Sequence, residues 1–515
     1  MKKYIFLIGS LFLFFSCMDD NMNKDPFGAD SELMNRTPVG SSQLANLQKL
    51  VLPEQENSYQ MCFDLFATNY AGYASTTKFF SDYVVYNPRT SWVSYPFDDT
   101  YPKIYTPFRF LYETSGGDYS KIYYSWGTIL RIGITQWLTD TYGPLPYSRV
   151  LGGKIAVPYD DQKSIYLEMC SELQKSIEAM KVNYQEGTLY KSYDLVYGGN
   201  FSKWLKYANS LLLRLSVRMS KAAPAEAKMY AEYAVDNGVI TANSDNAALS
   251  TTNNPVNIVS NLWGDSRVNA EITEYMRAFS DPRREKYFSK VTSRTGDYVY
   301  FGLRSGINPS TVITPANYST PNVTEKSPII WISASEVAFL MAEGALKGWK
   351  MGDTAENLYK KGITLSFEQW GASSLSDYLN NSVKRGNYVD ALQPALNEAS
   401  FLSDITVKWS DANGDAEKQL AKIITQKWIA MFPYGAQEAW AEWRRTGYPN
   451  LMPTQVNSSS NTVKNIVQVN GKDTGGMRRL PYSQKEKEGN NANVQQGIQY
   501  LGGPDNGGSD LWWAK

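Results

Sequence analysis

Apolar residues along much of this chain return at steps of three and four, the spacing of one face of an α-helix. From Trp204 they fall at Ala208, Leu211, Leu212, Leu215 and Met219. Pro224 then opens a short second helix, PAEAKMYAEYAVDNG, which Gly238 can close. A second pair begins at SASEVAFLMAEGALKGW, where Ser333 and Glu336 have capping-box spacing and Val337, Leu340, Met341 and Ala345 form the stripe. TAENLYKKGITLSFEQWG follows, ending at Gly371. A third pair runs LAKIITQKWIAMF, turns at Pro433 and resumes as GAQEAWAEWRR before Gly447. A further helix is predicted over SIYLEMCSELQKSIEAM. Each helix–turn–helix unit spans about 35 residues, near the tetratricopeptide period, although the units match one another poorly in sequence. The pattern predicts a mostly α fold, with tetratricopeptide-like helix pairs stacked so that each covers its neighbour's apolar face.

Three long stretches, 74–120, 240–328 and 446–515, lack that period and are rich in Gly, Asn, Ser, Pro and aromatic residues. Segments this long without regular structure are usually functional or disordered, and their aromatic content argues against disorder. A helical scaffold with a loop-built, aromatic-rich face is therefore expected. The N-terminus follows another pattern. Lys2 and Lys3 precede a run of apolar residues from Tyr4 to Phe15, the order of a secretory signal. The run is too short to span a bilayer, which takes about 20 residues. Phe14 is not the small residue an ordinary signal-peptidase site wants, whereas Cys17 suits cleavage and acylation as a bacterial lipoprotein. The expected organisation is a signal over 1–16, a lipidated Cys17 with an acidic tether over 17–34, and one binding domain over 35–515. Several acyl chains on Cys17 would give stable attachment to a membrane surface.

Composition narrows the chemistry. Aromatics make up 14% of the 515 residues, with 36 Tyr and 14 Trp, an excess of amphipathic rings that suits a wet binding surface. Lys plus Arg and Asp plus Glu both number 51, so nothing argues for a nucleic-acid partner. The absence of histidine removes His-based triads, bases and metal ligands. Cys62 and Cys170 are too far apart to form a recognisable framework and read as buried thiols. No cofactor and no metal are expected. DANGD sets Asp411, Asn413 and Asp415 like the start of a calcium loop, but its Gly414 comes early and Lys422 stands where a Glu belongs, so Asp415 reads as a helix cap. GGPDNGGSD lacks the ending of a phosphate loop and reads as a flexible tail. The adjacent acids Asp98–Asp99 and Asp160–Asp161 are not the separated pair that glycoside hydrolysis requires.

Five stretches occur in order: YGPLPYS (142–148), LMAEGALKGW (340–349), WRRTGYPNL (443–451), RRLPYSQKEKEGN (478–490) and a terminal LWWAK. With the lipoprotein signal, they resemble the SusD/RagB family of outer-membrane nutrient-binding lipoproteins, in the branch that carries RRTGYP and a terminal LWW. The resemblance covers essentially the whole mature chain. It implies a single α-helical domain of tetratricopeptide-like pairs and a partner, a SusC-like TonB-dependent β-barrel on which the lipoprotein sits as a lid. It also implies a position at the cell surface of a member of the Bacteroidetes. Asp19 and Asp20, directly behind Cys17, resemble the surface-export signal of such lipoproteins.

Candidate ligand residues come from composition and context. FFSDYVVYNPRTSWVSYPFDDTYPKIYTPF (79–108) is the densest aromatic stretch, and its rings Trp92, Tyr95, Phe97 and Tyr101 fall in its least helix-like part. Held in a rigid loop, such rings offer faces to sugar C–H groups, with Arg89, Asp98 and Asp99 for polar contacts. The bland alternative is that they pack the loop onto the scaffold. In GDYVYFGLRSG (296–306), Tyr298 and Tyr300 share a face if the segment is a strand, and Arg304 follows in a Gly-flanked turn. Trp263, in NLWGDSR, is a third candidate. Arg444 and Arg445 read as dipole-complementing residues at a helix end, with a barrel contact as the alternative. A non-enzymatic receptor for glycan is favoured, with peptide as the other ligand class. A surface hydrolase and a purely structural plug of the barrel are the competing functions.

Overall fold

The computed structural model describes residues 37–77, 81–399, 403–466 and 475–515. The expected signal, Cys17 and tether lie outside the described residues. The architecture is mostly α, as the apolar spacing predicts. The principal helices are α1 (Ser41–Val51), α2 (Tyr95–Ser115), α3 (Ile122–Tyr142), α4 (Gln162–Asn183), α5 (Phe201–Arg218), α6 (Pro224–Asp236), α7 (Ala270–Ala278), α8 (Ala334–Leu346), α9 (Ala355–Trp370), α10 (Ala416–Ala430), α11 (Ala436–Thr446) and α12 (Asn491–Leu501). Helices α3 and α4, α5 and α6, α8 and α9, and α10 and α11 pack as pairs, and α8 bridges α5 and α10. Two short antiparallel ladders join the intervening segments. Strand β1 (Ala74–Thr76) pairs with β3 (Ser266–Val268), and β2 (Ala247–Leu249) pairs with β4 (Ile329–Ile332).

Several local signals act as read. Ser333 caps α8 by accepting from the Glu336 amide, Asp415 caps α10 by accepting from the Lys418 amide, and Gly371 and Gly447 close α9 and α11 with positive φ. Cys62 and Cys170 are free and buried, and burial pushes both thiols up.

Two readings are corrected and one helix is added. The stretch 74–120 is not loop-built throughout. Residues Tyr95–Ser115 form a helix that carries Pro102 and Pro107 inside it. Those prolines lie on its outer side, while Phe97, Ile104, Tyr105, Phe108 and Leu111 recur at helical spacing and are buried. Each internal proline removes one backbone donor, a loss tolerable where the freed carbonyl can meet water. Helix α3, which follows, is buried on nearly every side and has no polar stripe to reveal it. The second correction concerns the C-terminal glycine-rich stretch, which is a packed strap. Asp505 pairs with Arg479 at 2.6 Å and Lys487 at 2.7 Å, and Trp513 is fully buried.

The centre of the scaffold is an ionic hub. Arg218 of α5, with no exposed surface, reaches Glu438 at 2.6 Å and Glu442 at 2.5 Å, both on α11. Lys427 of α10 donates to Glu438 at 2.8 Å. Arg445 makes a fork of two 2.7 Å bonds with Glu343 of α8, and Arg214 of α5 forks onto Glu336 at 2.8 and 2.9 Å. Asp140 of α3 accepts from the Trp513 indole at 2.8 Å and the Tyr166 hydroxyl at 2.5 Å. Arg444 lies over the Trp440 ring at 3.7 Å and donates to the Asp140 carbonyl at 2.5 Å. Arg444 and Arg445 stand in the last turn of α11, as read, and their side chains also tie that helix end to α3 and α8. Burial opposes ionisation of Glu438, but Arg218, Lys427 and Arg214 outweigh it and hold the carboxyl at about 2.

Candidate functional site

The patch that carries Trp92, Tyr95 and Trp263 is built around two stretches of widened helix. Gln60–Thr68 and Asn257–Leu262 both have π-helical hydrogen bonding, a feature common at functional sites. Trp263 directly follows the second stretch, and its loop is fixed to the first. The Gln60 amide donates to Asp265 at 3.0 Å, and the Thr77 amide and hydroxyl reach the Asp265 and Gly264 carbonyls at 3.0 and 2.6 Å. Trp263 is 37% exposed and its neighbour Leu262 70%, so the loop presents an apolar tip to solvent. On the other flank of the first stretch, the Ser58 hydroxyl lies 3.5 Å from the Tyr95 hydroxyl and donates to Asp99 at 3.0 Å. Tyr95 is half-buried, and that burial raises its phenol. Trp92 is half-buried on a short helical turn, Thr90–Val93, beside Tyr83 at 5.9 Å. Arg89 sits over its ring at 5.1 Å and pairs with Asp82 at 3.2 Å.

These rings therefore stand on helical turns, not in an irregular loop; Trp92, Tyr95 and Tyr101 are half-buried and Phe97 is buried. Tyr101 is drawn away from solvent. It stacks between Phe97 and Tyr105 at 4.6 and 4.7 Å and donates to the Pro146 carbonyl at 3.0 Å. Asp98 accepts from Ser483 at 2.5 Å and Asp99 from Lys103 at 2.8 Å, so these acids tie segments together. Asp160 likewise receives the Tyr147 and Ser148 amides, and Asp161 caps α4.

The second candidate group is not a strand. Gly296–Val299 is a short 3₁₀ turn, and Tyr298 and Tyr300 do not share a strand face. Tyr298 is half-buried under Arg277, 5.6 Å from its ring, and Tyr300 is buried beside Arg284 at 5.3 Å. Arg304 is 1% exposed and acts as a clamp, donating to the Leu396 carbonyl at 2.6 Å, Glu398 at 2.8 Å and the Pro453 carbonyl at 3.2 Å. The structure thus ties Tyr95 through Ser58, and the Trp263 loop through Gln60, to the region of the first widened helix, while the Ser75 hydroxyl reaches the Arg304 carbonyl at 3.4 Å and brings that segment against β1. The polar partners that hold the patch, Ser58, Gln60 and Asp265, carry no sequence signal, because Gln60 and Asp265 are 205 positions apart.

Comparison with known proteins places this geometry. The family model described as SusD-like, SusD and RagB outer membrane lipoprotein, matches residues 21–514. The chain belongs to the SusD/RagB family. A SusD homologue from Bacteroides thetaiotaomicron VPI-5482 is 38% identical over 93% of this chain and 99% of its own, with a TM-score of 0.84. One from Bacteroides ovatus ATCC 8483 is 36% identical over 92% and 99%, with a TM-score of 0.83. A chitin-binding SusD homologue from Flavobacterium johnsoniae is 33% identical over 93% and 99%, with a TM-score of 0.85. No curated protein sequence matches the chain. The tetratricopeptide-like scaffold is therefore that of a SusD-type nutrient-binding protein, from a family of outer-membrane lipoproteins. Among the described residues no helix is long and apolar enough to cross a membrane.

Proposed function

We propose that this SusD-family chain is a surface-exposed receptor, anchored through acylated Cys17, that captures an oligo- or polysaccharide. It then delivers the glycan to a SusC-like TonB-dependent β-barrel. It binds without catalysis. The observation that carries the reading is the exposed indole of Trp263 and the half-buried indole of Trp92, on a scaffold that a chitin-binding homologue matches over 93% of this chain. Indole faces suit sugar C–H groups, and the Arg89 guanidinium over Trp92 can bond to hydroxyls beside the ring. Tyr95 rims the same patch, whereas Tyr101, Tyr298, Tyr300 and Arg304 serve the frame.

The test is a titration of residues 18–515, followed by intrinsic tryptophan fluorescence, with chito-oligosaccharides, plant and host polysaccharides and mixed peptides. Saturable glycan binding that is lost in Trp92→Ala and weakened in Trp263→Ala, with circular dichroism unchanged, is expected. Binding of peptides with silence across the glycans would make this the peptide-capturing lid of a peptide importer.

A further inference from the structure

The turn that carries Trp92 has a second side, which faces the C-terminal strap. Between them opens a cleft of about 220 Å³, roughly fifteen times what a single water needs by the same measure. Asn87, Pro88 and Thr90 form one wall, Ser459 and Thr462 the other, and Asn506 closes one end. The two walls are held in register by the Ser458 amide, which donates to the Val85 carbonyl at 2.8 Å.

The backbone around this cleft is strained. Five described non-glycine residues have positive φ, and three of them flank it: Tyr86 at 62°, Ser460 at 52° and Asn461 at 67°. For a bulky residue such as tyrosine that conformation is costly, and such residues gather at ligand clamps. The strained pair Ser460–Asn461 sets the Ser459–Thr462 wall opposite the strained Tyr86.

The lining selects a class of ligand. Among the described residues Lys487 is the only ionisable ammonium or carboxylate that lines the cleft, and it is already bridged to Asp505 at 2.7 Å, where Arg479 adds a second cation at 2.6 Å. A charged ligand would give up water there without gaining a free counter-charge. The Asn87 amide and the Thr90 hydroxyl have no side-chain hydrogen bond among the described residues, and Asn506 spends only its oxygen, on the Gly508 amide at 2.9 Å. Amides and hydroxyls donate and accept in turn, as sugar hydroxyls do. The buried rings of Tyr86 and Tyr482 supply an apolar floor for C–H groups. We propose that this cleft binds one neutral, hydroxyl-rich ring, a subsite that extends the Trp92 face. The proposal rests on the glycan-capture reading above.

The test uses the full lipoprotein in detergent, titrated calorimetrically with neutral cello-, xylo-, manno- and chito-oligosaccharides, with an anionic oligogalacturonate and with a mixed peptide. Thr462→Trp fills the cleft from its exposed wall, and the double variant Asn87→Ala/Thr90→Val removes two exposed hydrogen-bonding groups without adding bulk. For whichever neutral oligosaccharide binds, affinity should fall by about tenfold or more in Thr462→Trp and by roughly threefold to tenfold in the double variant, with an unchanged melting temperature. If Thr462→Trp disturbs folding, the double variant carries the test. Wild-type affinity in the double variant, with binding still lost in Trp92→Ala, overturns the subsite and leaves glycan capture standing. Binding of the peptide or the oligogalacturonate that the cleft variants abolish overturns the neutral-ring assignment. Silence of the wild type toward every neutral oligosaccharide overturns both readings.

Discussion

Replacing Asp64 by asparagine should change how stability depends on pH, because burial on the Gln60–Thr68 stretch raises this carboxyl toward neutrality. Asp64 lies on the Gln60–Thr68 stretch, 3% exposed, with one oxygen accepting from Ser266 at 3.1 Å and the other buried without a partner among the described residues. Burial pushes it up to about 7, against the pull of the Ser266 hydroxyl and with a further push from Asp265. In the unfolded chain an aspartate titrates near about 3.9. Between those values the folded protein holds a proton that the unfolded chain has released, so stability falls as pH rises. The slope is about 1.4 kcal/mol per pH unit, and the curve flattens above about 7. Asp64→Asn keeps the shape and the acceptor for Ser266 but cannot ionise, which removes that slope. The stability of the variant relative to wild type should therefore rise by about 2 kcal/mol from pH 5 to pH 7, and little thereafter. Glu271, which burial also raises to about 7, is common to both proteins and cancels in the difference. Urea unfolding followed by tryptophan fluorescence across this range measures it. Parallel profiles for the two proteins would show that Asp64 is ionised in the fold and would sink the argument.

Other substitutions separate frame from ligand face. Arg218→Met leaves Glu438, Glu442 and Asp140 short of a cation and should cost about 3–5 kcal/mol, read from the urea midpoint. An unmoved midpoint would show that the hub does not stabilise the helices it joins. Tyr101→Phe loses the bond to the Pro146 carbonyl and should cost about 1 kcal/mol while glycan affinity stays unchanged. A fall in affinity would return Tyr101 to the ligand face. Arg304→Met should destabilise by about 3 kcal/mol, since it abandons the Leu396 and Pro453 carbonyls and Glu398, again with no change in affinity.

What the sequence reveals of this fold depends on which surfaces meet water. Helix α5 keeps part-exposed polar residues on its first turns, Ser202, Lys203 and Lys206, whereas α8 is buried over Ala334–Gly344 and α10 over Ala421–Ala430. There Ser335, Glu336, Glu343, Gln426 and Lys427 supply the polar contrast that leaves apolar residues standing out at steps of three and four. Helix α3 has no such contrast, being buried all round, and α2 is masked by prolines that usually break helices. The strap shows composition without context. Its glycines suggest a loose tail, but Asp505 and Trp513 find Arg479 and Asp140 hundreds of positions back or only tens away, pairings that no local pattern encodes. The Ser333 cap is legible as half of a box, yet the Glu336 side chain turns to Arg214 on α5. The aromatic excess marks segments of the chain but does not tell which of their rings face solvent. Exposure distinguishes Trp263 from Tyr300, and Tyr101 differs from the equally half-buried Trp92 in its bond to the Pro146 carbonyl; both are properties of the fold.

The scaffold and the floor of the ligand patch solve the burial of acids in opposite ways. In the hub, cations surround the carboxylates, and Glu438 is held at about 2, far below neutrality. Asp64 on the Gln60–Thr68 stretch and Glu271 at the start of α7 lie at 3% and 5% exposure without enough compensating charge, and burial raises both to about 7. An ion pair with a depressed carboxyl keeps its stabilisation until pH falls toward that low value, whereas a raised carboxyl changes state near neutrality. A shift from about pH 5 to about pH 8 should therefore leave the helix pairs intact and put charge into the floor. That floor is the Gln60–Thr68 stretch and the β1–β3 ladder, to which Gln60 and Thr77 fasten the Trp263 loop. The order of events on raising pH follows from this arrangement: the Trp263 side of the patch loosens first, and the scaffold that carries it responds last. Hydrogen exchange of residues 60–77 compared with α5 and α11 across that range reads the order directly, and equal protection changes in both would contradict it.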